Sequence, residues 1–389
     1  MITAPGQRLV LLDVLRGLAI LGTLGTNIWI FTDPAGIVGM VGRMTPRLDT
    51  PAGVVEALLR FLANGKFLAL LTILFGVGLE LQRRSAARRG TRWPGWYLWR
   101  MALLFLDGVL HYLLVVEFDV LMSYAVTGFV VSYLVLTSER AQRRWMIAAA
   151  TVHVLVVGVL STAFWNSPRE QEPPHFTLYS EGSWGDQVAF RLDSMLLLRL
   201  ESILVLPQCC FLFLLGAHLY RAGAFEFSPR GRALRRRLVR WGFGIGLPLN
   251  LATTLGAHPA LMVLDRYVFP PLVALGYLGV IAWWVERRAD GWTARRLAGI
   301  GRVALSCYIL QNLLASALCY GWGLGLAARL AEHRVLWTPV AWSVISVTLV
   351  VFSALWLRRF RQGPVEAVWR WAAEAPRRWL DPARRVYRA

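Results

Sequence analysis

Asn27, Lys66, Asp107, His111, Glu117, Asp119 and Tyr124 are polar residues set inside or at the edge of long apolar runs. In hydrocarbon an ionisable side chain is costly, so such residues are functional candidates first. His111 is the centre of the group. Asp107 precedes it by one helical turn on the same face, and Glu117 and Asp119 follow shortly after. A histidine with a carboxylate partner is a general acid/base pair, the carboxylate fixing the ring tautomer and stabilising the cation. The competing reading is a satisfied core histidine. Catalytic candidates are therefore His111, Asp107, Asp119 and Asn27.

Binding candidates are Lys66, Tyr124, Asp13, Arg16, Arg302, Gln311 and Asn312. Asp13 and Arg16 stand one turn apart, and Arg16, Thr23 and Asn27 share a helix face. They form either an ion pair with a polar packing stripe or a ligand-facing stripe. Arg16 and Arg302 both fall near span ends, where guanidinium groups hold phosphate. Gln311 and Asn312 lie inside a late apolar run, bonding neighbouring helices or facing a ligand. Lys66 is the only lysine among 42 basic residues. A compact ammonium that can lose its proton suits chemistry that guanidinium cannot do; the alternative is an interfacial anchor.

Other chemistries lack their motifs. The six histidines are scattered without H-E-x-x-H, so no metal is expected. The four cysteines sit in apolar runs without C-x-x-C. G-x-S-x-G is absent, and Gly242, Gly244 and Gly246 follow no strand, which rejects a dinucleotide fingerprint.

These residues need helices to position them. The 389-residue chain is 56% hydrophobic and 17% charged, which excludes an ordinary soluble enzyme. Apolar runs predict an all-α, polytopic membrane protein with ten transmembrane helices near 10–30, 57–82, 98–116, 119–137, 145–165, 194–221, 238–256, 261–285, 302–321 and 336–357. The first run has no cleavage signature after it and is expected to be retained. Arginines number six in 83–100, three in 140–144, seven in 221–240, five in 287–302 and nine in 358–388. The alternate connections 31–60, 166–190 and 321–336 carry three, one and two. That asymmetry puts both termini in the cytoplasm. It also explains the net charge of +19 by topology and anionic lipid rather than nucleic acid. The connection 166–190, with Pro173 and Pro174, is expected to be a linker rather than a lid. The tail after Pro364, with Trp369, Trp371 and Trp379, suits an interfacial helix. The chain divides into an N-terminal bundle carrying the site (1–137), middle helices with the outer loop (138–230) and a C-terminal region with the basic tail (231–389).

The segments LDVLRGLAILGTLGTN (12–27), GKFLALLTILFGVGLELQ (65–82) and RMALLFLDGVLHYLLVVEFDVLMSYAVTGF (100–129) resemble the YeiB family of bacterial inner-membrane proteins of unknown function. GRVALSCYILQNLLASALCYGWGLGL (301–326) and LWLRRFRQGPVEAVWR (355–370) resemble that family's hallmark region. The family is similar to transmembrane acyltransferases, among them the lysosomal enzyme that acetylates heparan sulfate glucosamine from acetyl-CoA. The likeness rests on Asp13, Arg16, Gly17 and Asn27. In the lysosomal enzyme the catalytic histidine follows the first helix. No histidine stands between Asn27 and Lys66 here, so that role is either lost or moved to another residue, His111 being the candidate. Where relatives read Gly-Asp before the fourth helix, this chain has Phe118 and Asp119.

The resemblance implies an acyltransferase of the bacterial inner membrane. Cytoplasmic acyl-CoA would dock near Arg16 and Arg302, and an acceptor on the extracytoplasmic side would receive the acyl group. His111 would be the base, oriented by Asp107 or Asp119, with Asn27 or Lys66 stabilising the oxyanion. No covalent cofactor is implied. Expected partners are membrane lipids, acyl-CoA and the acceptor, with a homodimer left open. The alternative is a transporter or lipid-handling permease with a buried His/carboxylate site.

Overall fold

The computed structural model describes residues 5–43, 45, 47–167 and 175–380. Pro173 and Pro174 of the expected linker, and the Trp379 side chain, lie outside the described residues. Every regular element among the described residues is helical. The principal helices are α1 (Pro5–Phe31), α2 (Pro51–Ala63), α3 (Lys66–Arg88), α4 (Trp96–Leu114), α5 (Leu121–Leu134), α6 (Glu139–Ala163), α7 (Trp184–Asp193), α8 (Met195–Leu204) and α9 (Leu206–Arg221). There follow α10 (Pro229–Trp241), α11 (Leu247–Leu255), α12 (Pro259–Tyr267), α13 (Pro270–Arg288), α14 (Trp292–Arg302), α15 (Ala304–Cys319), α16 (Arg334–Arg359) and α17 (Pro364–Leu380).

Among the described residues six helical segments are long and apolar enough to cross a membrane, and up to eight if α8–α9 and α14–α15 each count as one bent span. The expected helix at 119–137 is α5, only 14 residues long. The one expected at 238–256 is broken into α10, a π-turn at Gly242–Gly246 and α11. α10 carries Arg230, Arg232, Arg235, Arg236, Arg237 and Arg240, of which only Arg240 falls within the expected span.

Helix surfaces facing outward are apolar as well as those facing the core. α16 exposes Leu336, Val340, Val344, Val347, Val351 and Leu355 along one stripe and buries Thr338, Ala341, Ile345, Ser346, Leu349 and Ser353. An apolar outer stripe is what lipid solvent selects, and the small residues inside let helices pack closely. Glycines make the tightest seams. A Cβ on Gly301 would stand 1.8 Å from the Asp13 carbonyl oxygen, and one on Gly17 2.1 Å from that of Leu297, so α1 and α14 touch backbone to backbone. Gly76 and Gly216 join α3 to α9 likewise, at 2.1 Å from the Phe213 and Ile73 oxygens. Gly78, two residues on from Gly76, meets nothing within 4 Å and lines a cavity instead.

The expected linker is a folded cap over its described part. Ser183 and Asp186 form a capping box that starts α7. Tyr179 is buried, its ring 4.9 Å from that of Tyr320, and its carbonyl accepts from the Gly321 N–H at 2.8 Å. Trp184 Nε1 donates to the Leu114 carbonyl at 2.9 Å. The cap thus covers the bundle end opposite the arginine-rich connections.

Candidate functional site

The short connection 115–120 between α4 and α5 is the centre of the site. His111 Nδ1 lies 2.9 Å from Asp119 Oδ1. Asp119 Oδ1 also accepts from the Tyr308 hydroxyl at 3.3 Å, and Oδ2 from the Leu121 N–H at 2.9 Å. The Asp119 oxygens already accept from Tyr308 and Leu121, so Nδ1–H of His111 is the donor in this pair. Nε2 lies on the other side of the ring, 3.2 Å from Asn312 Nδ2. Arg199 on α8 backs the carboxylate, its NH2 3.8 Å from Oδ2 and its NH1 donating to the Asp119 carbonyl at 2.7 Å.

Beside this pair sits a second one. Glu117 Oε2 accepts from Arg191 Nε at 3.2 Å and Oε1 from the Tyr179 hydroxyl at 2.8 Å. Both partners come from the cap. Burial and the Glu117 charge push the Tyr179 phenol far above its ordinary range, so it remains a donor.

Two cavities meet at this point. The distal one, of about 1040 Å³ including its open part, lies toward the cap and is lined by Asn27, Tyr124, Glu117, Asp119, Glu201 and Arg266 among others. The basic-end one, of about 1240 Å³ on the same measure, is lined by Arg16, Arg302, Gln82 and Glu366 at its polar rim and by Ile20, Leu74, Phe75 and Leu104 deeper in. Leu71, Val120 and Tyr308 belong to both walls. Tyr308 therefore touches both spaces and holds Asp119.

The distal cavity has a second polar wall that sequence reasoning missed. Glu201 Oε1 accepts from the Tyr267 hydroxyl at 2.7 Å and from Arg266 NH2 at 3.0 Å. Asn64 joins Arg266 to Asp265, which also takes bonds from Asn250 and Thr254. At the other end, the Glu366 carboxylate from α17 accepts from the backbone N–H of Leu305 at 2.8 Å and of Ser306 at 3.2 Å, and from the Ser306 hydroxyl. It caps α15, whose N-terminus is set free by the 88° bend after Arg302.

Of the expected residues, His111, Asp119 and Asn312 come together, with Tyr124 and Asn27 on the adjoining cavity wall. Tyr124 bonds to Thr72 at 2.7 Å; the Asn27 side chain lines the cavity without a hydrogen bond among the described residues. Asp13 and Arg16 pair at 3.2 Å, and Arg16 and Arg302 share the basic-end rim as expected. Asp107 does not bond His111: Asp119 takes that place, and Asp107 Oδ2 is buried without a partner. Both amide atoms of Gln311 are likewise unpartnered. Lys66 is separate from the cluster. Its side chain is wholly buried and donates to the carbonyls of Phe61 and Asn64, closing the end of α2. No group of three or more His, Cys, Asp or Glu among the described residues is arranged to hold a metal.

The chain is similar over 392 residues to the uncharacterized protein YeiB of Escherichia coli strain K12, at 30% identity, covering 94% of this chain and 96% of that one. The chain belongs to the YeiB family. The uncharacterized protein YxaH of Bacillus subtilis strain 168 is 26% identical, covering 95% and 94% of the two chains. An uncharacterized 39.9 kDa protein of Bacillus acidopullulyticus is 24% identical, covering 94% of each. The family described as "Protein of unknown function (DUF418)" matches residues 219–376. That YeiB-family stretch carries Arg266, Arg302, Tyr308, Asn312 and Glu366; His111, Asp119 and Glu201 lie before it.

Proposed function

We propose that this YeiB-family protein is a transmembrane acyltransferase of the bacterial inner membrane. It takes an acyl group from cytoplasmic acyl-CoA at the basic-end cavity and transfers it to an acceptor in the distal cavity. The observation that carries the reading is the shared wall: two cavities from opposite ends of the bundle meet at Tyr308, whose hydroxyl is bonded to the Asp119–His111 pair. A donor and an acceptor on opposite sides need such a partition, and an apolar channel below an arginine-bearing rim suits a pantetheine arm and acyl chain.

Among the expected catalytic groups the roles divide by access. Asp119 lines the cavity, whereas His111 sits behind it. Asp119 Oδ1 accepts from His111 and Tyr308, whereas Oδ2 accepts only from the Leu121 N–H, so its second lone pair takes the proton of the acceptor hydroxyl or amine. The acceptor atom bonds to the thioester carbonyl carbon, the C–S bond breaks, and the CoA thiolate recovers the proton. Asn27 supplies hydrogen-bond donors for the developing oxyanion. His111 acts as a positioning residue through Nδ1, and Asn312 fixes its other nitrogen.

The reading includes ten crossings with both termini in the cytoplasm, which the arginine asymmetry supports. Single cysteines placed at 31–43 or 175–186 are expected to react with impermeant thiol reagents from outside, and those at 84–92 or 226–236 only after permeabilisation. The reverse pattern would put the acceptor cavity on the wrong face.

Coenzyme A itself is the probe for the donor site. Calorimetry on the purified protein should detect binding, weakened by about 1–3 kcal/mol in Arg302→Ala or Arg16→Ala. Unchanged affinity in both variants removes these residues from the site. No binding by the parent protein defeats acyl transfer and favours transport through the two cavities.

A further inference from the structure

The distal cavity has a charge balance that selects its ligand. Each of the three carboxylates on its wall is matched by one guanidinium: Glu117 by Arg191, Asp119 by Arg199 and Glu201 by Arg266. An incoming ion would find no unmatched counter-charge among these groups, while losing its own water.

What the wall does offer is free acceptor atoms. All of the hydrogen bonds to Glu201 from Arg266 and Tyr267 fall on Oε1. Oε2 has no partner among the described residues, 44% of the side chain is accessible, and the residue lines the cavity. Gln208 Nε2 donates to the Tyr267 carbonyl at 2.5 Å. Only the NH₂ can donate to a carbonyl, so Oε1 is the atom left unpartnered. Both residues line the cavity beside Ser202.

We propose that the molecule held in the distal cavity is uncharged and rich in hydroxyl groups, bound by donation to Glu201 Oε2 and Gln208 Oε1. It is the acceptor of the acyl-transfer reading, on which this assignment rests. Glu201 thereby becomes a specificity residue, since its charge is already neutralised by Arg266 and what remains is a strong hydrogen-bond acceptor.

The test uses the full chain with its four cysteines replaced by Ala and Thr26, another wall residue, changed to Cys. The probes are the 2-hydroxyethyl, 2-trimethylammonioethyl and 2-sulfonatoethyl methanethiosulfonates, applied from the distal side, with rates normalised to a free thiol. The neutral hydroxyethyl reagent is expected to react at least about tenfold faster than either ion. Adding Glu201→Gln unbalances Arg266 and should raise the sulfonate rate about tenfold, whereas Arg266→Gln should raise the ammonium rate instead. A faster ammonium or sulfonate reagent in the parent background, or no reaction with any of the three, overturns the proposal. Failure of coenzyme A to bind, with the neutral preference intact, would instead defeat the acyl-transfer reading and leave the cavity's preference for an uncharged ligand standing.

Discussion

Asp119→Asn should lower acyl transfer by at least about a hundredfold while the protein still inserts and purifies as a folded species. The amide keeps the size of the carboxylate but cannot take the acceptor's proton, and it loses the charge that holds His111, Tyr308 and Arg199 around it. Release of coenzyme A thiol from an acyl-CoA is the readout, with calorimetric binding of coenzyme A run in parallel. Binding should survive, because the donor rim at Arg16 and Arg302 is separate from Asp119. His111→Gln should reduce turnover by the same route without altering donor affinity, as expected of a residue that acts through its neighbour. Tyr308→Phe removes only the longest of these bonds and should cost less. If the Asn variant turns over like the parent, the pair is a structural one, and His111 is the satisfied core histidine.

Arg191→Met should destabilise the protein by about 3–5 kcal/mol, because it leaves the Glu117 carboxylate buried without its counter-ion. Both side chains are 1% accessible. Tyr179 still donates one hydrogen bond to Glu117, but one neutral donor does not offset a missing guanidinium. The double change Arg191→Met with Glu117→Leu removes both charges and should recover most of the loss. Unfolding midpoints of the purified variants, followed by intrinsic tryptophan fluorescence, decide the matter. A double variant no better than the single one would show that the cap is held by Tyr179 and Trp184 alone.

Periodicity and charge made much of the architecture readable. The apolar runs predicted at 10–30, 98–116 and 336–357 correspond to α1, α4 and α16 within a few residues, because side-chain burial in lipid imposes long uninterrupted apolar stretches. The His111–Asp119 contact was also within reach, since a short turn brings α4 and α5 together. Harder to see was the choice of Asp119 over Asp107. The helical spacing favoured Asp107, but the chain reversal brings Asp119 to the imidazole. Glu201, Arg266 and Arg199 gave no local signal: each is an ordinary charge near a span end until the bends of α8–α9 and the start of α13 turn it inward. The described part of 166–190 was expected to be a linker for a similar reason. Its capping box was legible, but the partners of Tyr179 and Arg191 lie on Tyr320 and Glu117, far away in the chain. Lys66 stood out by its rarity, yet its function in the fold is to close a helix end.

The glycine seam between α1 and α14 also governs the order of assembly. It presses Gly17 and Asp13 against Leu297 and Gly301, so nearly every other helix is synthesised between the two halves of one contact. Until that long loop closes, α1 must stay in the bilayer without its closest neighbour, its Asp13 charge answered only by Arg16 one turn away. Closure is also what brings Arg302 beside Arg16, so the rim of the basic-end cavity is a late product of folding, made by a highly non-local contact and absent from any nascent intermediate that has not yet made α14.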